Sequence, residues 1–153
     1  DGLAVFEDVA TEPCALINPF AAQQMQLGFY AGQALRTPGG QAIGSLCVLD
    51  RKPRHLSPAE SQLLEQLALV AQDLLLLQTT QVADSGLRTL RTRLDGPLLQ
   101  SLTRLTTLAE LNEWDAAPDA AEAQRYTDAR LDEARHLTQA MHRELQAALA
   151  ELG

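Results

Sequence analysis

The feature that most constrains this sequence is a stripe of apolar residues behind a helix-start signal. Ser57-Pro58-Ala59-Glu60 places a serine before proline and a glutamate three residues on, as a capping box requires. Beyond it, apolar residues recur at alternating intervals of four and three, namely Leu63, Leu67, Val70, Leu74 and Leu77. Because this spacing puts them on one side of an α-helix, that side must be buried. The sequence predicts a long helix from Ser57 to about Val82.

Two strand-like segments upstream flank a tight reversal. They cover residues 27–35 and 42–49, with Pro38-Gly39-Gly40 between them. Proline presets a negative φ and glycine supplies the positive φ that a reversal needs, so we predict a β-hairpin. Residues 3–6 add a short apolar run that is typical of another strand. The pattern therefore indicates an α+β fold with an antiparallel sheet of about three strands.

Helical periodicity takes over in the second half of the chain. After Asp84-Ser85-Gly86, strand-forming residues disappear and leucine recurs at helical spacing. Gly96-Pro97 interrupts the pattern, and an internal proline loses a backbone hydrogen bond, so we expect a break or kink there. A turn is expected over residues 114–119. The sequence therefore predicts a C-terminal helical hairpin or bundle over residues 86–152.

The change in composition divides the chain into residues 1–82, with the sheet and the long helix, and residues 83–153, with the helical hairpin. Leu64, Leu75 and Leu76 widen the apolar side of the long helix beyond one seam. We therefore expect that helix to contact both its own sheet and a second helix, and the chain to form a homodimer through its helices. The candidate interface residues are Leu63, Leu67, Val70, Leu74, Leu77, Leu137, Met141 and Leu145.

Residues 29–50 carry motifs typical of one known family. Phe29-Tyr30-Ala31-Gly32 precedes Leu35-Arg36-Thr37-Pro38-Gly39-Gly40, and Ile43-Gly44-Ser45-Leu46-Cys47-Val48-Leu49-Asp50 follows. This series resembles the end of a GAF domain, where F-Y-A-G leads through L-R-T-P-x-G to I-G-x-L-C-V-x-D and a leucine-rich final helix. The resemblance covers about residues 3–80 and lacks the family's opening helix and first two strands. Those strands belong to a longer chain, or another chain supplies them, or the family's pocket does not exist here.

The resemblance implies a non-catalytic sensory or regulatory module of bacterial signal transduction. We expect a ligand or a signalling partner to change the sheet, and the long helix to pass that change to a homodimeric bundle. Phe29, Tyr30 and Cys47 are the candidates for lining a small-molecule pocket, although aromatic strand residues are more often core. Cys47 lies in an apolar run, where a buried thiol is the ordinary interpretation. The ligand itself is not indicated.

Composition argues against several other classes of protein. The chain has 20 acidic and 12 basic residues, a net charge of −8, which repels the phosphate backbone of nucleic acid. It holds no run of the ~18 apolar residues that a membrane span needs, and it shows no secretory signal. We therefore expect a cytoplasmic protein that binds neither nucleic acid nor membrane.

The histidines do not form an obvious catalytic or metal site. His55 is isolated, and His136 and His142 are six residues apart, which does not align them on one side of a helix. Nucleophile, base and oxyanion donors do not converge in the sequence, so we expect no enzyme activity, no metal and no cofactor.

Two other functions stay open at this point. The first is a ligand-free scaffold, in which the helices recruit a partner protein. The second is a histidine phosphotransfer or kinase dimerisation remnant, because His142-Arg143-Glu144-Leu145 bears a faint likeness to the phosphoacceptor box of histidine-kinase helices. An inserted arginine separates it from that box, so the sequence favours the regulatory module over both.

Overall fold

A computed structural model of the chain describes residues 2–79, 84–114 and 120–152. In chain order, its elements are β1 (Ala4–Phe6), α1 (Pro19–Met25), β2 (Phe29–Arg36), β3 (Ala42–Asp50), α2 (Pro58–Thr79), α3 (Asp84–Trp114) and α4 (Ala120–Leu152). The strands form one antiparallel sheet in the order β1-β2-β3. The predicted α+β class and the sheet of three strands are confirmed.

The chain divides into two compact units, Asp1–Ala68 and Leu69–Gly153. The boundary that the sequence predicts between residues 82 and 83 lies outside the described residues. The division between the two compact units falls within α2, so this helix contributes residues to both units.

The hairpin of β2 and β3 makes up most of the sheet. Its register sets Tyr30 opposite Leu49 and Gly32 opposite Cys47, with an irregularity next to Arg36. In the turn, the Gly40 N–H donates to the Thr37 carbonyl at 2.8 Å, and Gly40 has a φ of 82°. A positive φ of this kind favours glycine. The predicted hairpin is therefore present, with glycine at the position that requires it.

The core of the first unit lies between one face of the sheet and the start of α2. Its buried residues are Phe29, Ala31 and Leu64, with Leu3, Val5, Leu46 and Leu56 packed against them. The capping box positions the start of the helix: the Ser57 N–H donates to Glu60 Oε2 at 2.8 Å, and the Glu60 N–H donates to Ser57 Oγ at 3.3 Å. Both reciprocal hydrogen bonds predicted from the sequence are present.

The core of the second unit joins the rest of α2 to α3 and α4. Its buried residues are Val70, Met141, Leu145 and Ala148, with Leu74, Leu77, Leu98 and Leu105 packed against them. Helix α3 continues through Gly96-Pro97, so of the expected break or kink, the break is wrong. Proline removes one backbone hydrogen bond, and Leu98, the next residue, packs against the second core. Of the turn predicted over residues 114–119, Trp114 is the last residue of α3, and the rest lies outside the described residues.

Candidate functional site

The two aromatic pocket candidates lie on opposite faces of the sheet. Phe29 and Tyr30 are adjacent on β2, and successive side chains of a strand point to opposite sides. Phe29 is 1% exposed and packs with Leu64 in the first core. The ring of Tyr30 instead meets the ring of Phe6 edge-on, with centroids 6.1 Å apart. Phe29 is therefore a core residue, and Tyr30 belongs to the other face.

Tyr30 and Cys47 meet above Gly32. A Cβ added to Gly32 would overlap the phenol oxygen of Tyr30, so glycine gives the ring room along β2. Cys47 is the cross-strand partner of Gly32, which places its side chain on the same face as Tyr30. The structure thus brings together two of the three predicted pocket residues.

The thiol of Cys47 is exposed, so the expectation of a buried thiol is wrong. The physical reason is its strand: β3 lies at the edge of the described sheet, and most of its residues are exposed. An apolar run in the sequence predicts a β-strand, but it does not show whether other elements cover the faces of that strand.

A second cysteine lies close to this face. Cys14, in the loop between β1 and α1, is buried. Burial raises the pKa of the Tyr30 phenol, and the neighbouring Cys47 and Cys14 raise that pKa further. Nothing in the sequence grouped Cys14 with Tyr30, because a loop residue carries no periodic signal. The cluster on this face is one phenol and two thiols.

Tyr30 is expected to ionise at a pH above the ordinary value of 10.0. In a Tyr126→Phe background it is the one tyrosine left, and the absorbance of tyrosinate reports its titration. The pKa of the Tyr30 phenol is higher in the folded chain than in the unfolded chain. The contribution of Tyr30 to the free energy of unfolding is therefore complete below the unfolded-state pKa, and it is lost as pH rises through the folded-state pKa. Adding Cys47→Ser should lower the midpoint but leave it raised, since burial is the larger cause. A midpoint at or below 10.0 would contradict the burial of this phenol.

A cavity of about 430 Å³ opens at the end of the hairpin. Its lining residues are Met25, Leu27, Leu49, Asp50 and Arg51. None of the three pocket candidates lines it, although Leu49 is the cross-strand partner of Tyr30. The lining therefore combines apolar residues with one acidic and one basic residue, a set that the sequence did not predict.

Close backbone packing shapes one side of this cavity. The Gly28 N–H donates to the Asp50 carbonyl at 2.8 Å, and a Cβ on Gly28 would overlap the backbone of Arg51. The Lys52 N–H donates to Asp50 Oδ1 at 3.1 Å and lowers the pKa of that carboxyl, to which the nearby Arg54 also contributes. Asp50 therefore remains an anion at neutral pH.

The interface candidates are largely enclosed by their own chain. Val70, Leu137, Met141 and Leu145 are buried, and Leu63, Leu67, Leu74 and Leu77 are half-buried. Of the half-buried residues, Leu74 and Leu77 pack against the second core. In the second unit, Leu69–Gly153, which we call the helical unit, the exposed leucines among the described side chains are different residues, Leu69, Leu75, Leu99 and Leu102.

A fully buried carboxylate lies in the helical unit. Asp73 of α2 accepts a hydrogen bond from Gln146 at 2.7 Å and lies 2.6 Å from Nδ1 of His142. The two α4 residues are four apart, so they project from successive turns on one side of that helix. Sequence reasoning missed Asp73. The signal was its position three residues after Val70 and four before Leu77, which puts it on the buried stripe.

Neither a metal-ligand cluster nor a membrane-spanning helix is found in the described part of the chain. No three His, Cys, Asp or Glu side chains come together there as metal ligands would. None of the helices in those ranges combines the length and the hydropathy that crossing a bilayer requires.

Comparison with known proteins agrees with the sequence motifs. The model of the GAF domain matches residues 3–72, which contain the sheet, the cavity and the start of α2. A cyclic di-GMP phosphodiesterase from Pseudomonas aeruginosa is 36% identical over 126 residues, covering 72% of this chain. The chain spans 22% of the length of that relative. Residues 3–72 therefore belong to the GAF domain family.

Proposed function

We propose that this chain is a regulatory module of bacterial signal transduction. In this proposal the first unit, Asp1–Ala68, which we call the GAF unit, acts on the helical unit through α2. One observation carries the proposal: a single helix holds Leu64 in the core of the first unit and Val70 in the core of the second. Membership of the GAF family and similarity to a cyclic di-GMP phosphodiesterase support a place in signalling.

The physical basis of the relay is the continuity of α2. Leu64 and Val70 are fewer than two helical turns apart, joined by a hydrogen-bonded backbone. Protein cores are packed too densely to deform gradually. When one side chain shifts, the core therefore changes between discrete arrangements. Repacking around Leu64 should therefore be felt in the second half of α2, and amide hydrogen exchange measures that effect.

The cavity of the GAF unit is the proposed site for the signal. Leu27 and Leu49 offer apolar contacts, and Asp50 and Arg51 offer one charge of each sign. Apolar walls with a few polar groups are typical of small-molecule sites. We assign the chain a regulatory role and not a catalytic one. Phosphodiesterase activity belongs to the name of the relative, and this chain spans only 22% of the length of that relative.

We also propose that the helical unit forms a homodimer through its exposed leucines. The candidates drawn from the sequence are mostly enclosed within one chain, so the contact between copies moves to other residues. Leu99 and Leu102 of α3 are 62% and 45% exposed and lie three residues apart, on one side of the helix. Exposed apolar patches of this kind are typical of protein contacts.

The double substitution Leu99→Glu/Leu102→Glu is expected to convert the dimer into a monomer, because it places two carboxylates in an apolar contact. Sedimentation equilibrium measures the mass. The matched control is Gln100→Glu/Thr103→Glu, which adds the same charge at exposed neighbouring positions of α3 and should leave the dimer mass unchanged. A monomeric wild type, or a dimer that survives the leucine substitutions, would refute this interface.

A further inference from the structure

Asp73 contacts the ring of His142 through a single nitrogen, and part of the His142 side chain is exposed to solvent. His142 Nδ1 lies 2.6 Å from Asp73 Oδ2. A carboxylate only accepts hydrogen bonds, so Nδ1 carries the hydrogen, and in the neutral ring Nε2 then keeps its lone pair. The His142 side chain is 32% exposed, whereas the Asp73 side chain is fully buried, so solvent reaches the His142 side chain but not the carboxylate. We propose that His142 accepts a phosphoryl group at Nε2.

The buried carboxylate favours this reaction. When Nε2 bonds to phosphorus, the ring becomes positively charged while Nδ1–H still donates to Asp73. In the form of His142 that can react, with a lone pair on Nε2, the two donors that the structure gives Asp73, His142 and Gln146, are both neutral. In a low-dielectric interior an anion gains strongly from a positive partner. Asp73 is therefore a positioning residue that fixes the ring and stabilises the charge that develops on it.

The reaction needs a phosphoryl donor with a good leaving group, such as a phosphoramidate. The Nε2 lone pair forms the N–P bond, the bond from phosphorus to the leaving amine breaks, and the amine keeps that electron pair and takes a proton from solvent. The phosphoryl group then stays in water at the exposed side of the ring. Its negative charge is added where α2 and α4 meet in the helical unit, whether or not that unit dimerises.

The other two histidines provide internal controls. His55 is 80% exposed, and its Nδ1 lies 2.5 Å from Glu7 Oε1, a half-exposed carboxylate. His136 Nδ1 lies 2.8 Å from the Asp132 backbone carbonyl. All three rings are thus engaged at Nδ1, and His142 alone is engaged by a buried carboxylate. If exposure decided reactivity, His55 would react first; if the buried carboxylate decides it, His142 reacts first.

The test is incubation of the whole chain with phosphoramidate, with mass spectrometry to locate the acid-labile phosphate and ³¹P NMR to identify the nitrogen. We expect His142 to be modified fastest and at Nε2. Asp73→Asn keeps an acceptor oxygen but loses the charge, so the rate at His142 should fall on the order of tenfold or more, with circular dichroism confirming the fold.

Two results would overturn the proposal. The first is faster labelling of His55 or His136 than of His142 in the wild-type chain, a comparison that requires no folded variant. The second is an unchanged rate and an unchanged nitrogen in a folded Asp73→Asn chain. A His142→Gln chain should lose the fast-labelled site and keep the slow labelling elsewhere.

Discussion

Removing both donors of Asp73 is expected to lower the free energy of unfolding by about 3–5 kcal/mol. The substitution is His142→Leu/Gln146→Leu, and it leaves a fully buried carboxylate without the two hydrogen bonds that offset its loss of water. A charge left unpaired in an apolar core is costly, because nothing then offsets the hydration it has lost. Urea unfolding followed by circular dichroism, which reports the helices, measures the change.

Adding Asp73→Leu to that double variant should restore the stability to the wild-type value or above. With the carboxylate gone, all three positions are apolar, and buried polar networks replaced by apolar residues of similar volume are often as stable or more stable. The rescue separates the orphaned charge from simple loss of packing. A triple variant that is no more stable than the double variant would show that the penalty comes from another source.

The Asp73 contact also specifies how α2 and α4 are aligned. The apolar seam repeats along both helices, so leucine packing alone tolerates a shift by one turn. His142 and Gln146 occupy successive turns of α4. The Asp73 carboxylate can therefore contact both of them at only one alignment of α2 with α4. A sliding motion would bury the charge without partners. A signal that travels through α2 must therefore preserve this contact or replace it.

Local signals in the sequence predicted the elements well. The hairpin depends on a turn whose glycine requirement is satisfied by Gly40, and the start of α2 depends on the reciprocal bonds of Ser57 and Glu60. The turn and the capping box are each formed by residues within four positions of one another. A short segment of the sequence is therefore enough to predict each of them. The family motifs lie in the same region and identified the GAF match for the same reason.

Contacts between distant segments could not be predicted in this way. Asp73 and His142 are 69 residues apart, and nothing local to either indicates the other. Periodicity showed that Val70 and Met141 are buried, but it did not distinguish a second copy from another helix of the same chain. The exposure of Cys47 likewise depends on what lies beside β3. A repeating pattern shows that one side of a helix or strand must be buried. It does not show which element buries that side, because this depends on the whole fold.

The substitution Phe29→Ala is expected to lower the stability of the GAF unit by about 3–5 kcal/mol. Phe29 is almost wholly enclosed and packs with Ala31 and Leu64, so removing the ring leaves a cavity between the sheet and α2. Denaturant dependence of amide exchange in β2 measures the loss. Ile43→Ala is the matched control, because Ile43 is 44% exposed on the neighbouring strand and its truncation should change stability by only about 0.5 kcal/mol.

The same variant tests the relay. If α2 couples the two cores, the cavity beside Leu64 should raise amide exchange in residues 70–79 as well as in the sheet, under conditions where the chain stays folded. Faster exchange in β2 with unchanged exchange in residues 70–79 would mean that the two units respond independently. In that case the shared helix only connects them, and the regulatory proposal would lose its physical basis even though Phe29 remained essential to the fold.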